Sequence, residues 1–188
     1  MDIKDKIKKI KLKLANTNDY EIFNKILKIR NEISVRKNML NDGLIKKKTH
    51  HSWIKERLPN KKNKFYIIYI KNEIAGMLIL DEIEKKHKRA NWAFYLTKKF
   101  QNNYGAIIEY KFLNMFFKNN EFNKLNCIVL SFNQAVIKLH QKFGFVIEGV
   151  IKDYIYRNNL FLDLALLGIK RDVWLEYKKK IEKIFQIN

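Results

Sequence analysis

The sequence has few of the residues that mark disulfide-rich or metal-binding proteins. It contains one cysteine, Cys127, so no disulfide can form within the chain. Cys127 lies in an apolar run over residues 127–130, which predicts a buried structural thiol rather than a nucleophile. The spacing of the four histidines, with this one cysteine, gives no ligand cluster, so no metal is expected.

Long apolar runs are also missing. No stretch approaches the roughly 20 residues of a membrane-spanning helix, and the first residues, Met-Asp-Ile-Lys-Asp-Lys, contain no apolar signal region. We therefore expect a cytoplasmic protein with no membrane partner. The sequence shows no linker, repeat or low-complexity segment either, which predicts one domain over residues 1–188.

Arginine is scarce relative to lysine. The formal net charge of +20 arises from 33 lysines and 6 arginines against 19 acidic residues. A basic chain can bind the phosphates of nucleic acid, but specific phosphate recognition favours arginine, and these lysines are spread along the chain. Nucleic acid is therefore not the expected partner. A positive field would still attract small phosphorylated ligands.

The apolar patterns predict a single α/β domain with a mixed central sheet of about seven strands and helices on both faces. The strand-helix-strand order over residues 90–131 predicts a parallel pair of neighbouring strands. The lone proline, Pro59, closes one helix. Strands are predicted over 9–14, 65–70, 74–83, 90–96, 124–131, 145–157 and 161–169. Helices are predicted over 22–29 (capped by Thr17 or Asn18), 49–58, 105–119, 133–145 and 172–185.

The predicted helix from Asn133 to Phe145 has the clearest boundaries. Asn133 is a good N-cap residue, and Gly144 can take the left-handed conformation that ends a helix. Asn133 and His140 are seven residues apart and so lie on nearly the same face. The small Ala135 would let another molecule approach the first turn, where amides and the helix dipole favour an acyl donor with phosphates.

A polar segment from Phe100 to Ala106 follows a predicted strand. Amide hydrogens in such a loop can cradle a pyrophosphate. Gly105 is the only glycine in the segment, but Asn102 and Asn103 can adopt a left-handed turn in its place. We predict a phosphate-binding loop here, with the helix starting at Gly105.

The residues Asn133, Ala135, His140, Gly144 and Phe145, followed by Glu148 and Gly149, resemble the acyl-CoA-binding helix and next strand of the GNAT superfamily of N-acetyltransferases. The segment 100–106 is similar to a degenerate form of the superfamily's pyrophosphate loop. This resemblance implies acetyl-CoA as cosubstrate. The implied contacts with it are Phe94, Tyr95, Leu96, Gln101, Asn102, Asn103, Tyr104, Gly105, Ala106, Asn133, Ala135 and Lys142.

A narrower resemblance covers most of the chain. The blocks over residues 29–39, 48–54 and 86–95 resemble flagellar-glycosylation acetyltransferases. Those enzymes N-acetylate a UDP-linked 4-amino-4,6-dideoxy sugar on the way to pseudaminic acid. The resemblance implies a nucleotide-linked amino sugar as partner, contacted by Arg30, Met39, His50 and His51.

The implied reaction is direct attack of the sugar amine on the thioester in a ternary complex. Backbone amides around Phe94–Leu96 would stabilise the oxyanion. These enzymes usually have tyrosine at the position of His140. His140 could act as the acid that protonates the departing thiolate, or it could only pack and bond a carbonyl. The general base stays open between a water chain and a carboxylate such as Glu82 or Glu148.

Two other functions remain open from the sequence. The same fold could acetylate a protein N-terminus or another small amine, although a polyamine would require an acidic funnel. A basic nucleic-acid-binding module without catalysis is the third reading. The sequence also leaves a homodimer open.

Overall fold

The computed structural model describes residues 2–16 and 19–187. Its seven strands form one sheet in the order β1-β2-β3-β4-β5-β7-β6. The strands are β1 (Ile10–Leu14), β2 (Lys64–Ile70), β3 (Glu73–Glu84), β4 (Arg89–Leu96), β5 (Lys124–Leu130), β6 (Val146–Arg157) and β7 (Leu160–Lys170). The helices are α1 (Ile3–Lys9), α2 (Tyr20–Arg30), α3 (Ile33–Arg36), α4 (Lys47–Arg57), α5 (Lys98–Phe117), α6 (Gln134–Lys142) and α7 (Arg171–Phe185).

The sheet is mixed, as predicted. β4 and β5 are parallel, with Ala90 opposite Leu125, because a helix connects them and returns the chain to the same edge. The other registered pairs, β1–β2, β2–β3, β5–β7 and β6–β7, are antiparallel. The predicted α/β class is therefore confirmed.

The structure differs from the prediction at α1 and α5, and the predicted caps of α2 lie outside the described residues. The helix α1 was not predicted, because its short Lys-rich segment has no clear apolar stripe. The helix α5 begins at Lys98 rather than at Gly105. Thr17 and Asn18, the predicted caps of α2, lie outside the described residues, and Asp19 holds the N-cap position without a side-chain capping bond.

The chain forms two compact units. The first contains the described residues as far as Ile83, together with Trp92–Ile108. The second contains Glu84–Asn91 and the residues from Glu109 to the end of the described chain. No helix within the described part of the chain combines the length and apolar character needed to cross a membrane.

The core of the first unit forms where α2 packs on the sheet. Phe23, Ile26 and Ile29 recur every three residues on one side of α2, and all three are buried. They join alternate residues of β2, Phe65 and Ile67, in one apolar cluster.

The hairpin of β2 and β3 carries two special positions. Lys71 and Asn72 both have positive φ, as a tight two-residue hairpin turn requires. Gly76 lies opposite Ile68, and the next pair skips Ala75, so a bulge lies beside this glycine. A Cβ added to Gly76 would overlap the carbonyl of Tyr95, so only glycine allows this approach.

The core of the second unit centres on Trp174 of α7, which is 1% exposed. Its ring packs against Tyr110 of α5 and Phe143 at the end of α6, with centroids 6.1 and 6.2 Å away. These contacts fix the C-terminal half of α5 and the end of α6 against α7.

Candidate functional site

The N-terminus of α5 is closed by a carboxylate from the segment between α2 and α3. Glu32 Oε1 accepts a hydrogen bond of 2.6 Å from the Thr97 hydroxyl, and Oε2 accepts one of 2.9 Å from the Lys98 amide. Gln101 Nε2 donates to the carbonyl of Leu96 (2.9 Å). A negative charge at a helix N-terminus is stabilising, so these contacts favour a helix that starts at residue 98.

The predicted loop over residues 100–106 is therefore wrong in conformation. These residues are helical, and neither Asn102 nor Asn103 has a positive φ. The segment lacks the extra glycines that would oppose a helix, and the Glu32 cap supports one. Asn102 and Asn103 are exposed, Gln101, Gly105 and Ala106 are half-buried, and Tyr104 is buried.

Tyr104 belongs to the packing of the first unit. Its ring meets Phe100 edge to face with centroids 5.5 Å apart, and the ammonium of Lys6 lies 5.7 Å from the ring centre. The ring of Tyr104, a predicted acetyl-CoA contact, is therefore packed against other side chains of the protein.

The end of β4 places its last residues in different environments. Phe94 is half-buried and stacks on Trp92, with centroids 5.4 Å apart. Tyr95 and Leu96 are buried, and Tyr95 joins the core cluster of the first unit. Burial raises the pKa of the Tyr95 hydroxyl above its usual range, and the charge of Arg30 only partly opposes this. Tyr95 is therefore neutral at physiological pH.

Three basic side chains of the first unit form what we call the cationic cluster: Arg30, Arg36 and His50. Arg30 Nη2 donates to the carbonyl of Asn41 at 2.7 Å, and Arg36 Nη1 donates to the carbonyl of Asp42 at 3.0 Å. The remaining nitrogens Arg30 Nη1, Arg36 Nε and His50 Nδ1 are buried without a hydrogen-bond partner in the described chain. The cluster therefore keeps unused polar groups out of water, which is costly unless a ligand meets them.

The charge states within the cationic cluster follow from burial and from neighbouring charges. Burial lowers the pKa of Arg30, Tyr95 opposes this shift, and Arg36 lowers the pKa further. Burial also lowers the pKa of His50 to about 4, with smaller contributions from His51 and Arg30. At neutral pH the cluster thus contains two guanidinium cations and a neutral imidazole.

The other predicted acceptor contacts lie beside this cluster and the core. Met39 is half-buried and packs against the core cluster of the first unit. His51 Nε2 lies 3.0 Å from Asn24 Oδ1, and the ring of His50 stacks on Trp53 with centroids 6.1 Å apart. Met39 thus has a packing role, while His50 and His51 are held in place by ring and polar contacts.

In the second unit, α6 has the predicted position and stop. Asn133 holds the N-cap position, but its side chain makes no capping bond, so that part of the prediction was wrong. Its ψ of 60° departs from the extended conformation that usually aims a cap side chain at the first-turn amides. Gly144 has φ of 97°, and the Phe145 amide donates to the carbonyl of His140 at 3.2 Å, which confirms the helix stop.

The solvent-facing side of α6 includes the other predicted donor contacts. Ala135 and Lys142 are both exposed, and Asn133 is half-buried. A small residue in the first turn leaves the helix surface open to a ligand, and a lysine adds positive charge near it. This part of the predicted acyl-donor surface has the exposure that the role requires.

His140 lies in the last turn of α6 and is buried, with 4% of its surface exposed. Its Nδ1 lies 2.8 Å from Glu109 Oε1 on α5, and Glu109 is fully buried. Burial lowers the pKa of His140, but the charge of Glu109 and the hydrogen-bonded thiol of Cys127 outweigh it and raise the pKa to about 10. His140 is therefore a cation at neutral pH, with Nδ1–H donating to the carboxylate.

Cys127 is 5% exposed and free, which confirms the predicted buried thiol. Of the two carboxylates considered as bases, Glu148 forms an ion pair with Lys124 and Glu82 is exposed. Within residues 2–16 and 19–187, no group of three His, Cys, Asp or Glu side chains could hold a metal ion.

The sequence interpretation missed Glu32, Arg36 and Glu109. Glu109 could have been noticed as one carboxylate within the apolar run Ile107-Ile108-Glu109, where a charge must be paired to be buried. Glu32 and Arg36 lie in the block 29–39. The partners of Glu32 are distant in the chain, and no local pattern marks the bond of Arg36 to the Asp42 carbonyl.

Known proteins support the family that the sequence resembled. The GNAT acetyltransferase domain matches residues 12–166. Two uncharacterized N-acetyltransferases of Bacillus subtilis are similar. YokL is 25% identical over 121 residues (64% of this chain and 68% of YokL), and YoaA is 24% identical over 98 residues (52% and 55%).

Solved structures share the fold. A spermidine N-acetyltransferase from Vibrio cholerae, in complex with CoA and spermine, superposes with a TM-score of 0.80 at 15% identity, covering 89% of this chain and 99% of that one. RimL, a ribosomal L7/L12 alpha-N-protein acetyltransferase in complex with CoA, gives 0.77 at 16% identity, covering 88% and 96%. From the domain match over most of its length, the chain belongs to the GNAT family of N-acetyltransferases.

Proposed function

We propose that the chain transfers the acetyl group of acetyl-CoA to the 4-amino group of a UDP-linked amino-dideoxy sugar. The observation that carries this choice of acceptor is the cationic cluster of Arg30, Arg36 and His50. Guanidinium groups bind phosphate oxygens with paired hydrogen bonds, and the diphosphate of a nucleotide sugar would supply acceptors for their buried nitrogens.

The positive charge of the cluster favours an anionic acceptor, such as a nucleotide sugar, over a cationic polyamine. A polyamine is a cation and would be repelled by Arg30 and Arg36, which are not in ion pairs with carboxylates of the described chain. The nearby carboxylate of Glu32 is engaged by Thr97 and the Lys98 amide. The likeness to spermidine acetyltransferase, at 15% identity, shows the fold alone.

The proposed acceptor contacts are Arg30, Arg36, His50 and His51. Arg30 and Arg36 would hold the diphosphate. The neutral His50 would offer a hydrogen bond without adding charge, and Met39 would support this surface through packing. Each of these groups lies in the first unit.

The proposed donor contacts are found in both units. In the second unit, Asn133 has a side chain that does not cap its own helix, so its amide suits the pantetheine, with Ala135 and Lys142 beside it. In the first unit, the exposed Asn102 and Asn103 suit the phosphates better than the helical amides near Tyr104, Gly105 and Ala106. Gln101 would have to release the Leu96 carbonyl to contribute.

For the chemistry, the sugar amine attacks the thioester carbonyl and CoA departs as a thiol. Backbone amides of Phe94, Tyr95 and Leu96 are the proposed oxyanion donors. His140 is the proposed proton source for the thiolate. Glu109 is the proposed positioning residue, because its carboxylate bonds Nδ1 and keeps the ring charged.

The direct test is an acceptor panel. The full chain is incubated with acetyl-CoA and UDP-4-amino-4,6-dideoxy sugars, spermidine or a peptide with a free N-terminus, and released thiol is measured. We expect thiol release with a UDP-amino sugar. Release with spermidine or the peptide, and none with the sugars, would replace the proposed acceptor with that amine.

A further inference from the structure

A crevice of about 650 Å³ lies between α2 and the β2–β3 hairpin, within the first unit. Four residues of α2 and four of the hairpin line it. Its volume falls in the range of roughly 300–1,000 Å³ that is typical of small-molecule sites. The lining residues are distinct from the cationic cluster and from the proposed acetyl-CoA contacts, so neither proposed substrate accounts for the crevice.

The floor of the crevice is apolar, because the hairpin extends past the core of the first unit. Ile67 of β2 is buried in that core, whereas Tyr69, two residues further along on the same side, is only half-buried. Ile74 lies opposite Tyr69 in β3 and is also half-buried. On α2, Ile22 and Ile29 are seven residues apart and so lie on nearly the same face. The lining residues from both elements thus leave an apolar surface that a ligand could cover.

The rim of the crevice is positively charged. Lys25 and Lys28 line it from α2, and both residues are exposed. Their ammonium groups form no hydrogen bond or ion pair with another described residue. A lysine can lay its methylene chain along apolar surface and keep its ammonium in water, so both charges can reach a ligand on the floor. Two such cations beside an apolar floor favour a ligand with a negative charge and an apolar body.

The polar residues that the hairpin contributes to the lining are already engaged. Asn72 Oδ1 accepts a hydrogen bond of 3.1 Å from Lys11 Nζ, and Glu73 forms an ion pair with Lys99. The negative charge of Glu73 is therefore balanced outside the crevice, and it does not cancel the charges of the two α2 lysines.

The ring of Tyr69 favours an aromatic body in the ligand. Aromatic rings that pack offset or edge to face gain more than their buried area alone provides. Burial and the charge of Asp19 raise the pKa of the Tyr69 hydroxyl, so it stays protonated and can donate a hydrogen bond to an anion. The ammonium of Lys13 lies 5.2 Å from the centre of the ring and offsets the negative charge of Asp19.

We propose that this crevice binds a small aromatic anion, whose ring packs beside Tyr69 on the apolar floor and whose carboxylate, sulfonate or phosphate meets Lys25 and Lys28. The inference rests on the crevice and its lining and is independent of the acetyl acceptor proposed above.

The test is an NMR titration of the isotope-labelled full chain with anilinonaphthalene sulfonate, an aromatic sulfonate. We expect saturable chemical-shift changes at the backbone amides of Ile29 and Ile74, with a Kd below about 1 mM. The shifted amides locate the probe, so binding in the crevice is told apart from binding to another apolar surface. The absence of saturable changes at these amides up to about 5 mM probe would overturn the proposal, and that result does not depend on any variant folding.

Charge variants test the rim. Lys25→Glu combined with Lys28→Glu should weaken probe binding at least about tenfold, because two attractive charges become repulsive. Lys61→Glu combined with Lys62→Glu is the matched control, since these two exposed lysines lie outside the crevice lining and undergo the same change of charge. The control should bind the probe as the natural sequence does. Unchanged binding by the α2 variant, or an equal loss in both variants, would overturn the assignment. Thermal unfolding of each variant shows that the fold is intact.

Two further probes distinguish the possible sources of the aromatic anion. AMP has its charge on a phosphate joined to a nucleoside, whereas benzoate has its charge on a carboxylate joined directly to the ring. Changes at the same amides at a lower concentration of AMP would assign the crevice to nucleotides, and the reverse order would assign it to aromatic acids. Binding of neither probe, or binding of inorganic phosphate as tight as that of both, would overturn a site for aromatic anions.

Discussion

Two buried polar groups of this protein differ in how the chain satisfies them. In the second unit, Glu109 and His140 pair with each other at 2.8 Å, so a buried carboxylate and a buried imidazolium are balanced by the protein itself. In the first unit, Arg30, Arg36 and His50 each keep a buried nitrogen without a protein partner. The charges of the pair are therefore balanced within the chain, although Glu109 Oε2 is also buried without a hydrogen-bond partner. The two guanidinium groups of the cluster have no anionic partner among the described residues, and an acidic ligand would supply one.

The largest expected effect comes from breaking the charge-balanced pair of Glu109 and His140. Glu109→Ala removes the partner of a buried cation and should lower the free energy of unfolding by about 3–5 kcal/mol. Guanidinium denaturation at pH 7 measures this. Arg36→Ala, which removes a cation without a carboxylate partner, is the contrasting variant and should cost less. A loss below about 1 kcal/mol for Glu109→Ala would show that the pair is not what balances this site.

The stability that the pair contributes should depend on pH in a defined direction. The pKa of His140 is raised from 6.5 to about 10 in the folded chain, so the contribution is complete below pH 6.5 and is lost as pH rises through about 10. The difference in unfolding free energy between the natural sequence and Glu109→Gln should therefore shrink from pH 6.5 to 10. A difference that stays constant over this range would contradict a charged His140.

The cationic cluster should control acceptor binding. Arg30→Gln or Arg36→Gln should raise the KM for the UDP-amino sugar about 100-fold, since a lost charged hydrogen bond to a buried phosphate costs roughly 2–5 kcal/mol. The affinity for CoA, measured by calorimetry, should stay within about twofold. Arg89→Gln, at an exposed arginine of β4, is the control and should leave KM unchanged. An unchanged KM in both cluster variants would remove the cluster from the acceptor site.

A smaller effect is expected on turnover from the proposed acid. His140→Phe should lower kcat at least about tenfold with little change in CoA affinity, because a general acid acts in the transition state. In Glu109→Gln the loss of activity at alkaline pH should begin nearer the ordinary histidine pKa of 6.5 than in the natural sequence. Equal kcat for His140→Phe and the natural sequence would leave the pair with a structural role alone.

The smallest effect on stability is expected for Asn133, whose side chain also has no hydrogen-bonding role in its own helix. Its side chain makes no capping bond, so Asn133→Ala should change the free energy of unfolding by less than about 0.5 kcal/mol instead of the ~1 kcal/mol typical of a lost cap. The CoA affinity should fall several-fold if the amide serves the pantetheine. A loss of stability near 1 kcal/mol with unchanged CoA binding would reverse that assignment.

Local patterns predicted much of the fold because they act over a few residues. The strands β2 and β7, the positive φ at Gly144 and the parallel β4–β5 pair were predicted from apolar runs, from a glycine at a helix end and from the strand-helix-strand order, and all three were confirmed. The α5 start at Lys98 was not predicted, since it depends on Glu32, 66 residues away from Lys98 in the chain.

The candidate site was less accessible to sequence reasoning for a similar reason. His140 lies on α6, as predicted, but the sequence does not show that it is buried against Glu109. Arg30 and His50 were predicted as acceptor contacts from a family resemblance and not from a local pattern. That their buried nitrogens remain unsatisfied is a property of packing, which no spacing of residues predicts.

Whether the cationic cluster recognises phosphate can be measured directly from the dependence of acetyl transfer on the UDP group. Initial rates of thiol release are compared for a UDP-linked 4-amino sugar and for the same amino sugar without UDP, in the natural sequence and in Arg30→Gln/Arg36→Gln. We expect that removing UDP lowers kcat/KM at least about 100-fold in the natural sequence and much less in the double variant, because both changes remove the same contacts. An equal loss in both proteins, or no dependence on UDP in either, would contradict it.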